Sequence, residues 1–198
     1  MTQLSPGDTI TARVLTTIRG EAVLVPDPEL LVHLQFRRYA GCPICNLHLR
    51  SVARRYDDIR GAGISEVVIF HSPAEDMLPH QAGLPFAVVA DPRRLLYAEF
   101  GVEAARRAVI HPRAWTTPFN PKVYPVVLHG LRNGGSPGPR HGETVLGLPA
   151  DFLINPAGRV LDLRYGRHAN DQWSVDQLIE LAMSLSTRRA PHHHDGRL

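Results

Sequence analysis

Apolar positions along this chain fall into short runs, most of them closed by glycine or proline. Residues 9–15 and 21–25 are extended pieces that meet at Gly20, which predicts a β-hairpin ended by Pro26 and Pro28. Residues 31–36, LVHLQF, form a mostly apolar strand that runs into Arg37 and Arg38. Tyr39-Ala40-Gly41 turns the chain, and a helix starts at Pro43, where the amide that proline lacks has no partner to lose. Leu47, Val52 and Ile59 give that helix a loose apolar stripe, and Gly61 and Gly63 stop it.

A β-branched apolar run over 65–70 predicts a buried parallel strand reached by a right-handed crossover. Ser72 is placed to cap a short helix over 74–77, limited by Pro79. Residues 87–90 form a third buried strand, and Asp91-Pro92 opens a helix over 93–100 that Gly101 ends. Residues 103–147 are interrupted by six prolines and a run of glycines, which predicts an irregular insertion bordering the turn at 39–42. Regular pattern resumes at 148–154 and 159–165, a hairpin turning at Asn155-Pro156-Ala157-Gly158. Ser174 and Gln177 form a capping box for a last helix, with Val175, Leu178, Ile179, Ala182 and Leu185 on its apolar face. The expectation is one α/β domain over residues 1–186, a central mixed sheet flanked by helices, with an N-terminal β-hairpin and a disordered basic tail over 187–198.

Length and charge add limits. A chain of 198 residues is enough for one well-formed core. The net charge is +3, but nearly all basic residues are arginines scattered along the chain rather than gathered in a stripe, which argues against nucleic acid as a partner. No apolar run is long enough to span a membrane, and the first residues carry neither a basic start nor an apolar core. These features, with two cysteines set as one close pair, lead to the expectation of a cytoplasmic dithiol protein without a membrane partner.

The chemistry sits at Cys42-Pro43-Ile44-Cys45. A cysteine at a helix N-terminus faces free amides and the positive end of the dipole, so Cys42 is expected to have a lowered pKa and Cys45 is not. Cys45 lies three residues on, on the same side of the first turn, and can close a disulfide with Cys42. A structural zinc site would need two more ligands; the chain has no third cysteine, and His48, His71 and His80 would have to be brought in by folding. A purely structural disulfide would close too small a loop to restrict the unfolded chain much. The expectation is a redox dithiol with neither metal nor cofactor.

The order of elements, with a dithiol at the first strand–helix junction, resembles the thioredoxin-like fold. More narrowly it resembles the peroxiredoxin-like redoxin and alkyl hydroperoxide reductase (AhpC/TSA) family. Residues 4–8, LSPGD, are similar to the family's opening; residues 86–102, FAVVADPRRLLYAEFGV, to its strand and Asp-Pro turn; residues 148–160, LPADFLINPAGRV, to its final hairpin. The resemblance implies Cys42 and Cys45 as catalytic residues. It places Pro149 at the proline, cis in thioredoxin-like proteins, that faces the dithiol. Tyr39, Pro43 and Arg38 are supporting candidates. It also implies a peroxide or disulfide substrate, an external thiol reductant (thioredoxin-type or low-molecular-weight) and a homodimer as a further candidate assembly. Two departures stand out. Tyr39 occupies the place of the family's threonine, and Pro149 that of its peroxide-polarising arginine. Thiol–disulfide exchange is therefore expected to outrun peroxide reduction, unless Arg37, Arg38 or an arginine of the insertion supplies the missing charge. The alternative is a redox sensor or binding protein with little turnover.

Overall fold

The computed structural model describes residues 3–102, 123–132 and 147–187. The insertion apart from 123–132 and 147, and the expected tail from 188 on, lie outside them; Thr187, expected to open the tail, is the last residue of a helix. In chain order the described elements are β1 (Arg13–Thr16), β2 (Ala22–Val25), β3 (Leu31–Phe36), α1 (Pro43–Arg54), α2 (Tyr56–Gly61) and β4 (Ile64–Phe70). They continue with α3 (Ala74–Gln81), β5 (Ala87–Ala90), α4 (Leu95–Glu99), α5 (Val123–Arg132), β6 (Ala150–Ile154), β7 (Val160–Tyr165) and α6 (Val175–Thr187). β1 and β2 form the expected antiparallel hairpin. The main sheet has the order β5-β4-β3-β6-β7, with β3 parallel to β4 and antiparallel to β6. β3 is thus the central strand, and its C-terminal end delivers the turn that carries the dithiol.

Both faces of this sheet are covered, which is why the strands read as nearly continuous apolar runs. On one face Val68, Phe70 and Leu153 meet Leu49 and Val52 of α1, Ile59 of α2, and Leu178 and Ala182 of α6. On the other, Val32, Leu34, Phe36, Val67, Ile69 and Phe152 meet Tyr97 and Phe100. Phe36 is fully buried, edge-on to Tyr97 at 4.9 Å and to Phe152 at 5.7 Å between ring centroids. Burial of a side chain this size contributes about 2–3 kcal/mol, so the root of the dithiol turn is anchored in core.

Local structure departs from the sequence expectation where packing overrides pattern. The single helix expected after Cys42 is two, because Arg55 takes φ −116° and ψ 24° and breaks the α-helical path between α1 and α2. Ser72 does not cap α3; its hydroxyl instead accepts the amide of Ala40 at 2.8 Å. α3 runs through Pro79 to Gln81. An interior proline costs a helix about 3 kcal/mol, and here the buried Met77 and Gln81 hold the last turn in place. α4 begins only at Leu95, since Arg94 adopts φ 56°, and the Asp91 carboxylate accepts the amides of Leu95, Leu96 and Tyr97. Within the stretch expected to be irregular, 123–132 is helical: Pro125 falls in the first turn, where its missing amide costs nothing. α5 packs against α1 and α3. The capping box of α6 forms as expected, with Ser174 N donating to Gln177 Oε1 at 3.0 Å and Gln177 N to Ser174 Oγ at 3.2 Å.

Candidate active site

Cys42 is the N-cap of α1 and Pro43 its first residue. The backbone amide of Cys45 donates to Cys42 Sγ at 3.4 Å, so the first turn of the helix faces the sulfur. The Arg38 guanidinium donates to the same sulfur at 3.0 Å and lies over the Tyr39 ring, 5.6 Å from its centroid. Cys42 and Cys45 are free thiols with 0% and 1% exposure, so the dithiol is enclosed rather than presented at the surface.

Side chains from three helices and the loop after β4 fix the turn that holds them. Tyr97 of α4 donates its hydroxyl to the carbonyls of Arg37 and, at 3.0 Å, Ile69. Ser72 takes the Ala40 amide, while the Ala40 carbonyl accepts Asn46 Nδ2 at 2.8 Å and Gln81 Nε2 at 2.9 Å. Asn46 and Gln81 are themselves joined at 2.6 Å. Every one of these partners is buried, so the bonds do not compete with water.

Beneath α1 lies a second charged group that runs across three strands. His33 Nδ1 meets the Glu66 carboxylate at 2.9 Å, and its Nε2 lies 3.4 Å from Asp151. Gln35 bridges, donating to Glu66 and accepting from Arg37. Arg37, at 0% exposure, pairs with Asp151 Oδ1 at 2.6 Å and donates to His48 Nε2 at 3.3 Å. Asp151 Oδ2 accepts the Trp173 amide at 3.1 Å.

These contacts set the protonation states. Burial lowers His33, but Glu66 and Asp151 outweigh it and raise the imidazole to about 9. Burial raises Asp151, yet Arg37 and His33 hold it well below the usual carboxylate range. Burial and the charge of Arg37 lower His48 to about 3, so it is neutral and accepts. The two thiols titrate as a pair. Burial is the largest influence on both and pushes Cys42 well above its ordinary value. On Cys45 burial is outweighed by the bond with Cys42 and the charges of Arg38 and Arg37, and that thiol falls to about 6. These directions are the reverse of those expected from the helix N-terminus alone, which lowered Cys42 and left Cys45 unchanged. The pair gives up one proton readily and keeps the second. Arg38 and the Cys45 amide both donate to Cys42 Sγ, and we place the single negative charge of the pair on that atom.

A buried protonated histidine implies a pH signature. Its folded pKa is raised, so its stabilisation is complete below the unfolded value of about 6.5 and is lost as pH rises through about 9. The lowered thiol contributes with the opposite sign over part of that window, so the histidine share is read as a difference between variants. Wild-type unfolding free energy minus that of His33→Gln is expected to fall by about 3 kcal/mol between pH 6 and 9.5. Urea titrations at each pH measure it, and a flat difference would show that His33 is neutral in the fold.

The family model for the AhpC/TSA antioxidant enzymes matches residues 51–167, more than half of the chain. This chain belongs to that family. The match begins beyond both cysteines, so the dithiol stands on its own geometry. No curated protein matches the chain in sequence. Among solved structures the chain resembles the peroxidoxin BcpB from Mycobacterium tuberculosis, at 16% identity and TM-score 0.65, covering 92% of this chain and 99% of that one. It also resembles a cysteine-to-serine mutant of PrxQ from Xylella fastidiosa, at 13% identity and TM-score 0.63, covering 95% and 99%. A putative thiol:disulfide interchange protein DsbE from Chlorobium tepidum follows at 19% identity and TM-score 0.57, covering 91% and 99%. These likenesses establish the thioredoxin-like fold.

Within this AhpC/TSA chain the expected supporting residues separate. Arg38 reaches Cys42, Pro43 opens the helix, and Tyr39 underlies the guanidinium while its carbonyl accepts the Cys42 amide at 3.0 Å. Pro149 leads into β6, whose Ala150 pairs with Phe36, so it lies at the same end of the sheet. Its peptide bond is trans; the cis bond among the described residues is Val25–Pro26. The Pro149 carbonyl takes the amide of Gly166 at 2.8 Å, a bond into the adjoining strand connection rather than one offered to a partner chain. His33, Glu66 and Asp151 escaped the sequence reading. Their signal was polar residues at alternate positions of a strand otherwise apolar enough to be central, with acids at the paired positions His33↔Glu66 and Gln35↔Asp151.

Proposed function

We propose that this chain is a two-cysteine thiol peroxidase in which Cys42 attacks the peroxide and Cys45 resolves the product. The observation that carries the reading is the Arg38 guanidinium 3.0 Å from Cys42 Sγ inside a fully enclosed dithiol. It reverses the order of chemistries expected from the sequence. Exchange with a protein disulfide calls for an accessible thiolate beside a cis-proline. Neither condition holds here, whereas a peroxide is small and the missing charge is supplied by Arg38.

In the cycle, the Cys42 thiolate attacks one peroxide oxygen; the S–O bond forms as the O–O bond breaks. Arg38 stabilises charge on the oxygens in the transition state, the part played by preorganised donors generally. The leaving oxygen takes a proton and departs as water or alcohol. Cys45 then attacks the sulfenic sulfur, a Cys42–Cys45 disulfide forms and water leaves. An external thiol reductant restores both thiols by exchange. A pair of reduced cysteines with this role fits a reducing compartment such as the cytoplasm.

Stopped-flow mixing of the reduced protein with hydrogen peroxide tests this. Cys42→Ser is expected to abolish the reaction, and Cys45→Ser to stop it at a sulfenic acid that dimedone captures. Oxidation of Cys42 by peroxide no faster than by a model disulfide would sink the proposal. Fast oxidation without repeated turnover under any thiol reductant would instead favour a redox sensor.

A further inference from the structure

A cleft of about 610 Å³ runs along α1, between that helix and the connection from α3 to β5. Its described lining includes Asn46, Leu49, Arg50 and Arg54 from α1, with His80 and Leu84 opposite, and no carboxylate. Asn46, Arg50 and Arg54 are spaced i, i+4, i+8, and Cys42 lies one step before them in the same row. The floor of the cleft at its dithiol end is thus Asn46, the residue after Cys45, bonded to the Ala40 carbonyl and to Gln81. Farther along, Arg50 and Arg54 take no part in any ion pair among the described residues. At 1.5 Å per residue, Arg50 is about 12 Å along the helix from Cys42. The cleft therefore offers a half-apolar wall, two arginines at its far end and, at its near end, Asn46, which directly follows the buried Cys45 in the chain.

We propose that this cleft binds the reductant, a low-molecular-weight thiol bearing carboxylate groups, with Arg50 and Arg54 holding the carboxylates and the sulfur directed at the head of α1. This rests on the peroxidase reading, which requires a Cys42–Cys45 disulfide to be reduced. The first reductant thiolate attacks one sulfur of that disulfide; the new S–S bond forms as the Cys42–Cys45 bond breaks, and the released cysteine leaves as thiolate. A second reductant thiol attacks the mixed disulfide, leaves with the first as a symmetrical disulfide, and frees the other cysteine. Two electrons and two protons pass from two thiols to the dithiol.

The test compares glutathione with its diethyl ester, which has the same thiol but masked carboxylates, as reductants of the protein carrying a preformed Cys42–Cys45 disulfide. Glutathione is expected to reduce it faster by on the order of tenfold, and the double variant Arg50→Glu/Arg54→Glu to remove that advantage while leaving the ester rate and the peroxide rate unchanged. Equal rates for the two thiols in the wild type, or equal slowing of both in the variant, would overturn the inference. The reduced protein supplies an independent reading through titration with S-methylglutathione, which binds without reacting. Binding that weakens by about tenfold in the double variant supports the site, and absent or unchanged binding rejects it. Failure of the disulfide to form would tell against the peroxidase reading, and the titration then decides the cleft by itself.

Discussion

Replacing Arg38 by alanine is expected to slow oxidation of Cys42 by hydrogen peroxide by on the order of 100-fold, the usual cost of removing one preorganised donor. Arg38 acts in two ways. In the proposed cycle its charge favours the Cys42 thiolate, and its N–H group, 3.0 Å from Sγ, would donate to the oxygens that gain charge beside that atom. Only 6% of the residue is exposed, so water does not replace it readily. Arg38→Lys keeps the charge and loses the planar fork, and is expected to recover only part of the rate. Stopped-flow rates for the three proteins, measured from pH 5 to 9, separate the contributions. A change in thiol titration alone moves the pH midpoint, whereas loss of oxygen contacts lowers the high-pH plateau. A plateau equal to wild type in Arg38→Ala would mean that another group carries the peroxide.

Removing the Asp151 carboxylate by substitution to alanine is expected to destabilise the fold by about 3–5 kcal/mol, the range for leaving a buried charge without its partner. Arg37 would lose its 2.6 Å ion pair and His33 a second acid, and the Trp173 amide would lose its acceptor. Arg37 and Asp151 are both wholly buried, so solvent screening does not soften the loss. The double variant Arg37→Met/Asp151→Leu is expected to cost less than Asp151→Ala, because it removes both charges together. Urea denaturation measures both. A loss below about 1 kcal/mol for Asp151→Ala, as for an exposed pair, would show that water enters the site and screens Arg37.

Much of this molecule is written in local pattern. The hairpin of β1 and β2, strands β3 to β7 and helix α6 follow from apolar runs, turn residues and one capping box, all short-range properties. Cys42 at a helix N-terminus followed by proline is equally local, and so is the dithiol spacing. The break at Arg55, the helix that runs through Pro79 and the helix at 123–132 were not legible, because in each the decision lies with what the segment packs against rather than with its own propensity. The trans bond at Pro149 is similar: a proline before a strand allows both isomers, and the surroundings choose.

The site divides along the same line. Sequence by itself marked the thiol pair proposed to react, since two cysteines at this spacing need only one helical turn to bring them together. Tertiary structure alone decided what surrounds them. Arg38 is four residues from Cys42 in the chain, yet its side chain reaches Sγ only because Tyr97, Ser72 and Gln81, from distant segments, fix the path of the turn between them. Likewise a histidine, a glutamate and an aspartate from three strands become one charged group only when strand register sets them side by side. Electrostatic energy depends on separation and on exclusion of water. Both are properties of the folded molecule, which is why the thiol pair, and Arg38 as a candidate beside it, could be named from the chain while the contacts that tune the pair could not.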